Sequence, residues 1–102
     1  MCPVCCYSGF AGPAYEGDLP TFALCPCCGT EFGFDDDPSA CGVDHVKGYA
    51  GEHRPRDAEY RALAHAALRA RWQHGGMRWW STTEPAPAEW DPWGQVAAMR
   101  RR

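Results

Sequence analysis

Cys2-Pro3-Val4-Cys5 and Cys25-Pro26-Cys27-Cys28, with 19 residues between them, decide how the first third of the chain folds. Two cysteines separated by two residues form a tight turn that places both sulfurs on one side and points backbone N–H groups toward them. Proline after the first cysteine fixes φ and suits such a turn. Gly29 after Cys28 can supply the positive φ that closes it, whereas Cys6 holds the matching position of the first turn. The spacing allows a hairpin to bring the two turns together. Four thiolates so arranged fit a tetrahedral zinc ion, with Zn–S bonds of about 2.3 Å. The metal ligands read from the sequence are therefore Cys2, Cys5, Cys25 and Cys28, with Cys6 the nearest substitute for Cys2.

Seven cysteines in 102 residues need a reason. An odd count does not suit a fully disulfide-bonded secreted domain. The second residue is already a candidate ligand, which leaves no room for a leader, so the cytoplasm is the expected location. In a reducing compartment paired CxxC turns point to metal. Cys6, Cys27 and Cys41 read as packed thiols outside the metal shell.

Two other uses of these residues compete. Cys25, Cys28, Cys41 and His45 have finger spacing, C-x2-C-x12-C-x3-H, but Asp35-Asp36-Asp37-Pro38 and Gly42 are poor material for the helix a finger requires. A thiol–disulfide couple calls for an activated cysteine at a helix N-terminus, and neither pair precedes a helical pattern. Four thiolates also close the metal's shell, whereas a catalytic zinc keeps a position open. The expected cofactor is one structural Zn2+, and the expected protein is not an enzyme.

The remainder divides by composition. Six of the seven cysteines precede residue 29, and all five tryptophans follow residue 71. Thr21 to Leu24 and Thr30 to Phe34 read as short strands into and out of the second turn. Gly12-Pro13 and Gly17 to Pro20 read as turns. Tyr60, Leu63, Ala64, Ala67, Leu68, Arg71 and Trp72 form one stripe of a helix that ends at His74 and Gly75-Gly76. Asp91-Pro92 resembles an N-cap with proline in the first turn, opening a helix to about Met99. The fold expected is small α+β: a zinc ribbon of short antiparallel hairpins over 1–39, a loop over 40–55 and a helical, tryptophan-rich tail over 56–102.

With those motifs in view, the chain resembles a family of small bacterial cysteine-rich proteins marked by a CPCC turn. The resemblance is carried by Cys2 to Cys6, with Cys6 in place of glycine, and by Leu24 to Gly29 and Phe32 to Asp37. Gly76-Met77-Arg78-Trp79-Trp80-Ser81 and the segment Pro85 to Gln95 extend it. The stretch from Ala40 to Pro55 looks like an insertion. The resemblance implies a zinc-ribbon head, a helical tail and the four ligands, and it implies no activity.

A formal charge of −3 argues against a basic field for nucleic acid over the whole domain. No apolar run reaches the ~20 residues that cross a bilayer. Asp35-Asp36-Asp37, with Asp44 nearby, reads as a solvated acidic loop, since a hard-cation site needs about six oxygen ligands around a loop. His45, His53, His65 and His74 show no consistent spacing with acids. Alternation allows one ring of the Trp79-Trp80 pair to enter the core while the other stays at the surface. Most of Trp72, Trp79, Trp80 and Trp90 are nevertheless expected in the core that so short a chain needs, an exposed remainder fitting a protein-binding patch. The function expected is a non-catalytic interaction module whose partner is another protein, a second copy of the chain included. The runner-up is nucleic-acid binding, which requires Arg54, Arg56, Arg61, Arg69, Arg71 and Arg78 on one face.

Overall fold

The two cysteine turns of a computed structural model are built alike, hydrogen bond for hydrogen bond. The model describes residues 1–17, 19–36 and 58–99. In the first turn the Cys2 N–H donates to the Tyr7 carbonyl at 3.0 Å and the Cys6 N–H to the Cys2 carbonyl at 2.9 Å. In the second, the Cys25 N–H donates to the Thr30 carbonyl at 3.0 Å and the Gly29 N–H to the Cys25 carbonyl at 2.8 Å. The residue that closes each turn has positive φ, 64° at Cys6 and 78° at Gly29. Glycine tolerates that conformation and cysteine does not, so Cys6 carries backbone strain that Gly29 avoids.

Between the turns lies a two-stranded antiparallel hairpin, β1 (Tyr15–Glu16) and β2 (Leu19–Pro20), with Tyr15 opposite Pro20 and Glu16 opposite Leu19. Sequence reading places a turn over the whole of Gly17 to Pro20, but Leu19 and Pro20 pair. The two strands expected around the second cysteine turn reduce to one bridge, Leu24 with Glu31. Left-handed backbone at Phe22, φ 60°, and Gly33, φ 104°, breaks the extension on both sides. Beyond the bridge the Phe34 and Asp35 N–H groups fold back onto the Glu31 carbonyl.

Helix α1 spans Ala58–His74 and helix α2 spans Pro92–Met99. The end of α1 is where the glycine pair places it. The Gly75 and Gly76 N–H groups bond to the Arg71 and Gln73 carbonyls, and Gly76 turns to φ 97°. At α2, Asp91 Oδ1 accepts from the Trp93 N–H at 3.1 Å and proline opens the first turn, as its sequence indicates. The buried face of α1 is rotated from the expected stripe. Ala64 and Leu68 are buried, but His65 is buried with them and Leu63 is exposed. Polar residues with partners have displaced an aliphatic one.

The core lies between the cysteine turns and α1. Phe32, Val4 and Cys27 are fully buried, with Tyr7, Phe10, Ala64 and Leu68 around them. After α1 the chain returns extended along the second cysteine turn. There the Trp80 N–H donates to the Cys27 carbonyl at 3.0 Å and the Ser81 N–H to the Pro26 carbonyl at 2.9 Å. The tryptophan pair splits as the alternation allows. Trp79 packs edge-on against Tyr7 and Trp90 at 5.2 and 5.3 Å, and Trp80 lies outside on Gly29. The architecture is small α+β, one hairpin and two helices among the described residues.

Candidate metal centre

The structure brings Cys2, Cys5, Cys25 and Cys28 together, with all four sulfurs within 4.8 Å of one another. The Cys2–Cys28 and Cys5–Cys25 pairs are each 3.8 Å apart, far beyond the ~2.05 Å of a disulfide. A regular tetrahedron with metal–sulfur bonds of about 2.3 Å has edges of about 3.8 Å. The donor set therefore fits a tetrahedral thiophilic metal in number, chemistry and spacing.

The sulfurs are also supported as ligands are. The Val4 N–H points at Cys2 Sγ from 3.4 Å, as the turn geometry dictates. Thr30 Oγ1, buried, lies 3.2 Å from Cys28 Sγ and donates to it when that sulfur is a thiolate. Cys2, Cys5 and Cys25 are fully buried and Cys28 is partly open. A cavity of about 210 Å³ lined by Thr30, Asp35, Arg71 and Trp72 reaches Cys28. Ionisation is shared across the set. Hydrogen bonds from the Cys2 and Cys25 thiols draw Cys28 far below its ordinary value, and hydrogen bonding to Cys2 and then Cys25 drives Cys5 up. Four packed sulfurs cannot all be anions without a cation among them.

Around this cluster the tail closes a second layer that the cysteine spacing does not announce. Arg69 donates from Nε to the Val4 carbonyl at 2.7 Å and from a terminal nitrogen to the Pro3 carbonyl at 3.0 Å. Gln95 donates to the Cys5 carbonyl at 2.7 Å and reaches Cys27 Sγ at 3.5 Å, while its oxygen accepts from Trp90 Nε1 at 3.0 Å. Cys27 is thus a buried thiol outside the four, and Cys6 is partly buried beside them. Cys41 and His45, and with them the rest of the finger reading, lie outside the described residues.

Asp36 corrects the reading of the aspartate run as a solvated loop. It is fully buried, accepting from the Gly33 N–H at 2.7 Å, from Tyr15 Oη and from His65 Nε2 at 2.8 Å. Burial alone would raise its pKa, but the hydrogen bonds from His65, Tyr15 and Gly33 outweigh it and hold the carboxyl below the usual range. The cluster ties β1, the turn after Phe32 and α1 together. Arg61 extends it, its guanidinium 4.3 Å from the Tyr15 ring centre. A histidine and an acid 29 residues apart give no local signal, and His65 lies beside the apolar stripe of α1 and not within it.

Of the six arginines whose gathering would mark a nucleic-acid surface, Arg54 and Arg56 lie outside the described residues. Arg69 is bound to the first cysteine turn and Arg61 stacks on Tyr15, while Arg71 and Arg78 are exposed. No described helix is long and apolar enough to cross a membrane.

No family model matches the chain, and no solved structure matches it. Over 38 residues it is 47% identical to the uncharacterised protein YoaQ of Bacillus subtilis (strain 168). That match covers 35% of this chain and 32% of the relative, so the chain aligns with about a third of the curated protein's length.

Proposed function

We propose that Cys2, Cys5, Cys25 and Cys28 hold one Zn2+ in a closed structural site, and that the chain is a non-catalytic, zinc-stabilised protein-interaction module. The observation that carries the metal assignment is the pair of 3.8 Å sulfur–sulfur edges, the spacing of a tetrathiolate zinc centre. Four sulfur donors fill the shell and leave no position for an activated water. Zinc then acts as folding free energy, on the order of 10–16 kcal/mol in peptide systems. On this reading the head is a zinc ribbon, the chain belongs with the CPCC proteins it resembles, and it works in the reducing cytoplasm.

The interaction role is supported by what the small core leaves outside. Trp80 and Trp93 are 52% and 74% exposed in a chain that needs its aromatics to fold. Tryptophan is over-represented among the residues that carry binding energy at protein interfaces. Nucleic acid draws less support, because Arg69 and Arg61 are occupied within the fold.

Metal analysis with native mass spectrometry tests the assignment. The wild type is expected to carry one zinc per chain, Cys2→Ser to lose it and Cys41→Ser to keep it. Loss in Cys41→Ser, or iron in the purified wild type, refutes the closed zinc ribbon.

A further inference from the structure

One face of the head carries Phe22 and Leu24 largely exposed, with the half-buried Pro20 beside Phe22. At the Leu24–Glu31 bridge Ala23 and Phe32 turn inward and Leu24 turns out, and the left-handed Phe22 just before it is exposed as well. Phe32 is fully buried, whereas Phe22 is 58% and Leu24 48% exposed. Pro20 joins them. A Cβ on Gly33 would stand 2.6 Å from Pro20 Cβ and 2.9 Å from Phe22 Cε1, so the bare glycine lets both rings close over its backbone.

Phe22 is also held at φ 60°, a conformation glycine adopts freely and phenylalanine resists. A strained aromatic that contributes little to the core is an outlier that asks for a role outside the fold.

Charge selects the partner. Residues 1–36 contain no lysine, arginine or histidine and include Glu16, Asp18, Glu31 and Asp35 besides the buried Asp36, which is spent on His65. Glu31 stands opposite Leu24 across the bridge, on the same face. A divalent ion among four thiolates adds a formal charge of about −2 to the same head. Every lysine and arginine of the chain lies at residue 47 or beyond. Arg69 and Arg61, which the fold brings onto the head, are engaged there, Arg69 with the Pro3 and Val4 carbonyls and Arg61 over the Tyr15 ring.

We propose that the Pro20–Phe22–Leu24 face docks a basic, apolar peptide segment of a partner protein, its side chains packing on Phe22 and Leu24 and its cations facing Glu31. The inference rests on the interaction-module reading above and names the surface and partner chemistry for it. An apolar anchor with complementary charges around it is the arrangement that gives both affinity and selection.

The test uses the zinc-loaded full chain and a fluorescein-labelled peptide of alternating lysine and leucine, read by fluorescence anisotropy. Peptides with glutamate for lysine, or serine for leucine, are the controls. The lysine–leucine peptide is expected to bind more tightly than both and to weaken as salt rises. Phe22→Gly removes the ring and relieves its backbone, so zinc content is retained while binding falls by about tenfold or more. Leu24→Ser gives the same result by an independent route.

No binding, equal binding to both variants, or preference for the glutamate peptide overturns the proposal. Self-association in sedimentation velocity that Phe22→Gly abolishes also overturns it, by making a second copy the occupant. Affinity capture from a lysate, run with wild type and Phe22→Gly, separates the two levels. A protein retained equally by both sinks this face and leaves the interaction reading intact, whereas none retained by either sinks the reading itself.

Discussion

Cys6 and Gly29 occupy equivalent places in two hydrogen-bonded turns, so substitutions at them should change stability in opposite directions. At Cys6, φ is 64° and a side chain is present. Holding a non-glycine residue there costs about 1–2 kcal/mol. Cys6→Gly removes that strain but loosens the unfolded chain, a loss of about 0.4–1 kcal/mol. The net expectation is a gain of about 0.5–1 kcal/mol, or about 2–8 °C in melting temperature for a domain of this size. At Gly29 the φ of 78° gives Gly29→Ala the reverse balance, a loss of about 0.5–1 kcal/mol. A steric term adds to it, because the new Cβ would stand 2.5 Å from the Trp80 ring. Displacing that ring costs about 1–3 kcal/mol more, as overpacking does. Urea unfolding at saturating zinc, followed by far-UV circular dichroism, measures both. Metal content must be determined on the same samples, with one zinc per chain expected in each. Loss of zinc from Cys6→Gly would show that Cys6 is a ligand, and destabilisation with zinc retained would show that the turns are not equivalent.

Asp36→Asn should cost about 1–3 kcal/mol at neutral pH, since it weakens a buried acceptor of three hydrogen bonds. Because the folded carboxyl is held below its unfolded value near 3.9, its stabilisation is complete above that value and is lost as pH falls through the folded one. The urea-midpoint gap between wild type and Asp36→Asn should therefore be flat from neutral pH down to about 5 and narrow below about 4; narrowing on the alkaline side contradicts the assignment. Gln95→Ala should weaken zinc about 10–100-fold in a chelator competition, as loss of a group buttressing a metal site does, and unchanged affinity would reduce Gln95 to a helix dock. A strong chelator should collapse the near-UV signal of Trp79 and Trp90 together with the helical signal, because the tail rests on carbonyls of the cysteine turns. Tryptophan signals that survive metal removal would mean the tail folds alone.

What the sequence makes legible here is local. The spacing of the CxxC turns specifies which four sulfurs meet, since each turn is closed within six residues by its own hydrogen bonds. Gly75-Gly76 marks the end of α1 and Asp91-Pro92 the start of α2 for the same reason. Backbone alternation allows the Trp79-Trp80 split but does not say that Trp80 is left 52% exposed, because the demand of a small core for aromatics argues the other way. The buried face of α1 is harder to read because the rule for finding it ranks apolar residues, and the fold uses His65 and Arg69. Both belong inside only once Asp36 and the Pro3 and Val4 carbonyls are in place. The same holds for Asp36 itself, whose neighbours Asp35 and Asp37 make it look like one of a charged run. The strands expected around Cys25 are cut short because Phe22 and Gly33 leave extended backbone on either side of the bridge, and nothing local marks a phenylalanine for that conformation.

The hydrogen bond from Gln95 to the Cys5 carbonyl joins residues 90 apart and ties the end of the chain to its beginning. Synthesis runs from the N-terminus, so all four sulfurs leave the ribosome long before the glutamine that braces the Cys5 carbonyl. On the proposed zinc reading, a nascent chain could take up its ion once Cys28 has been made, before α2 can supply that brace. During that interval the four thiols would lack the tail's support against exchange and oxidation, for a time set by the rate of translation. Slow codons or premature termination between Cys28 and Gln95 would prolong or fix that unbraced state.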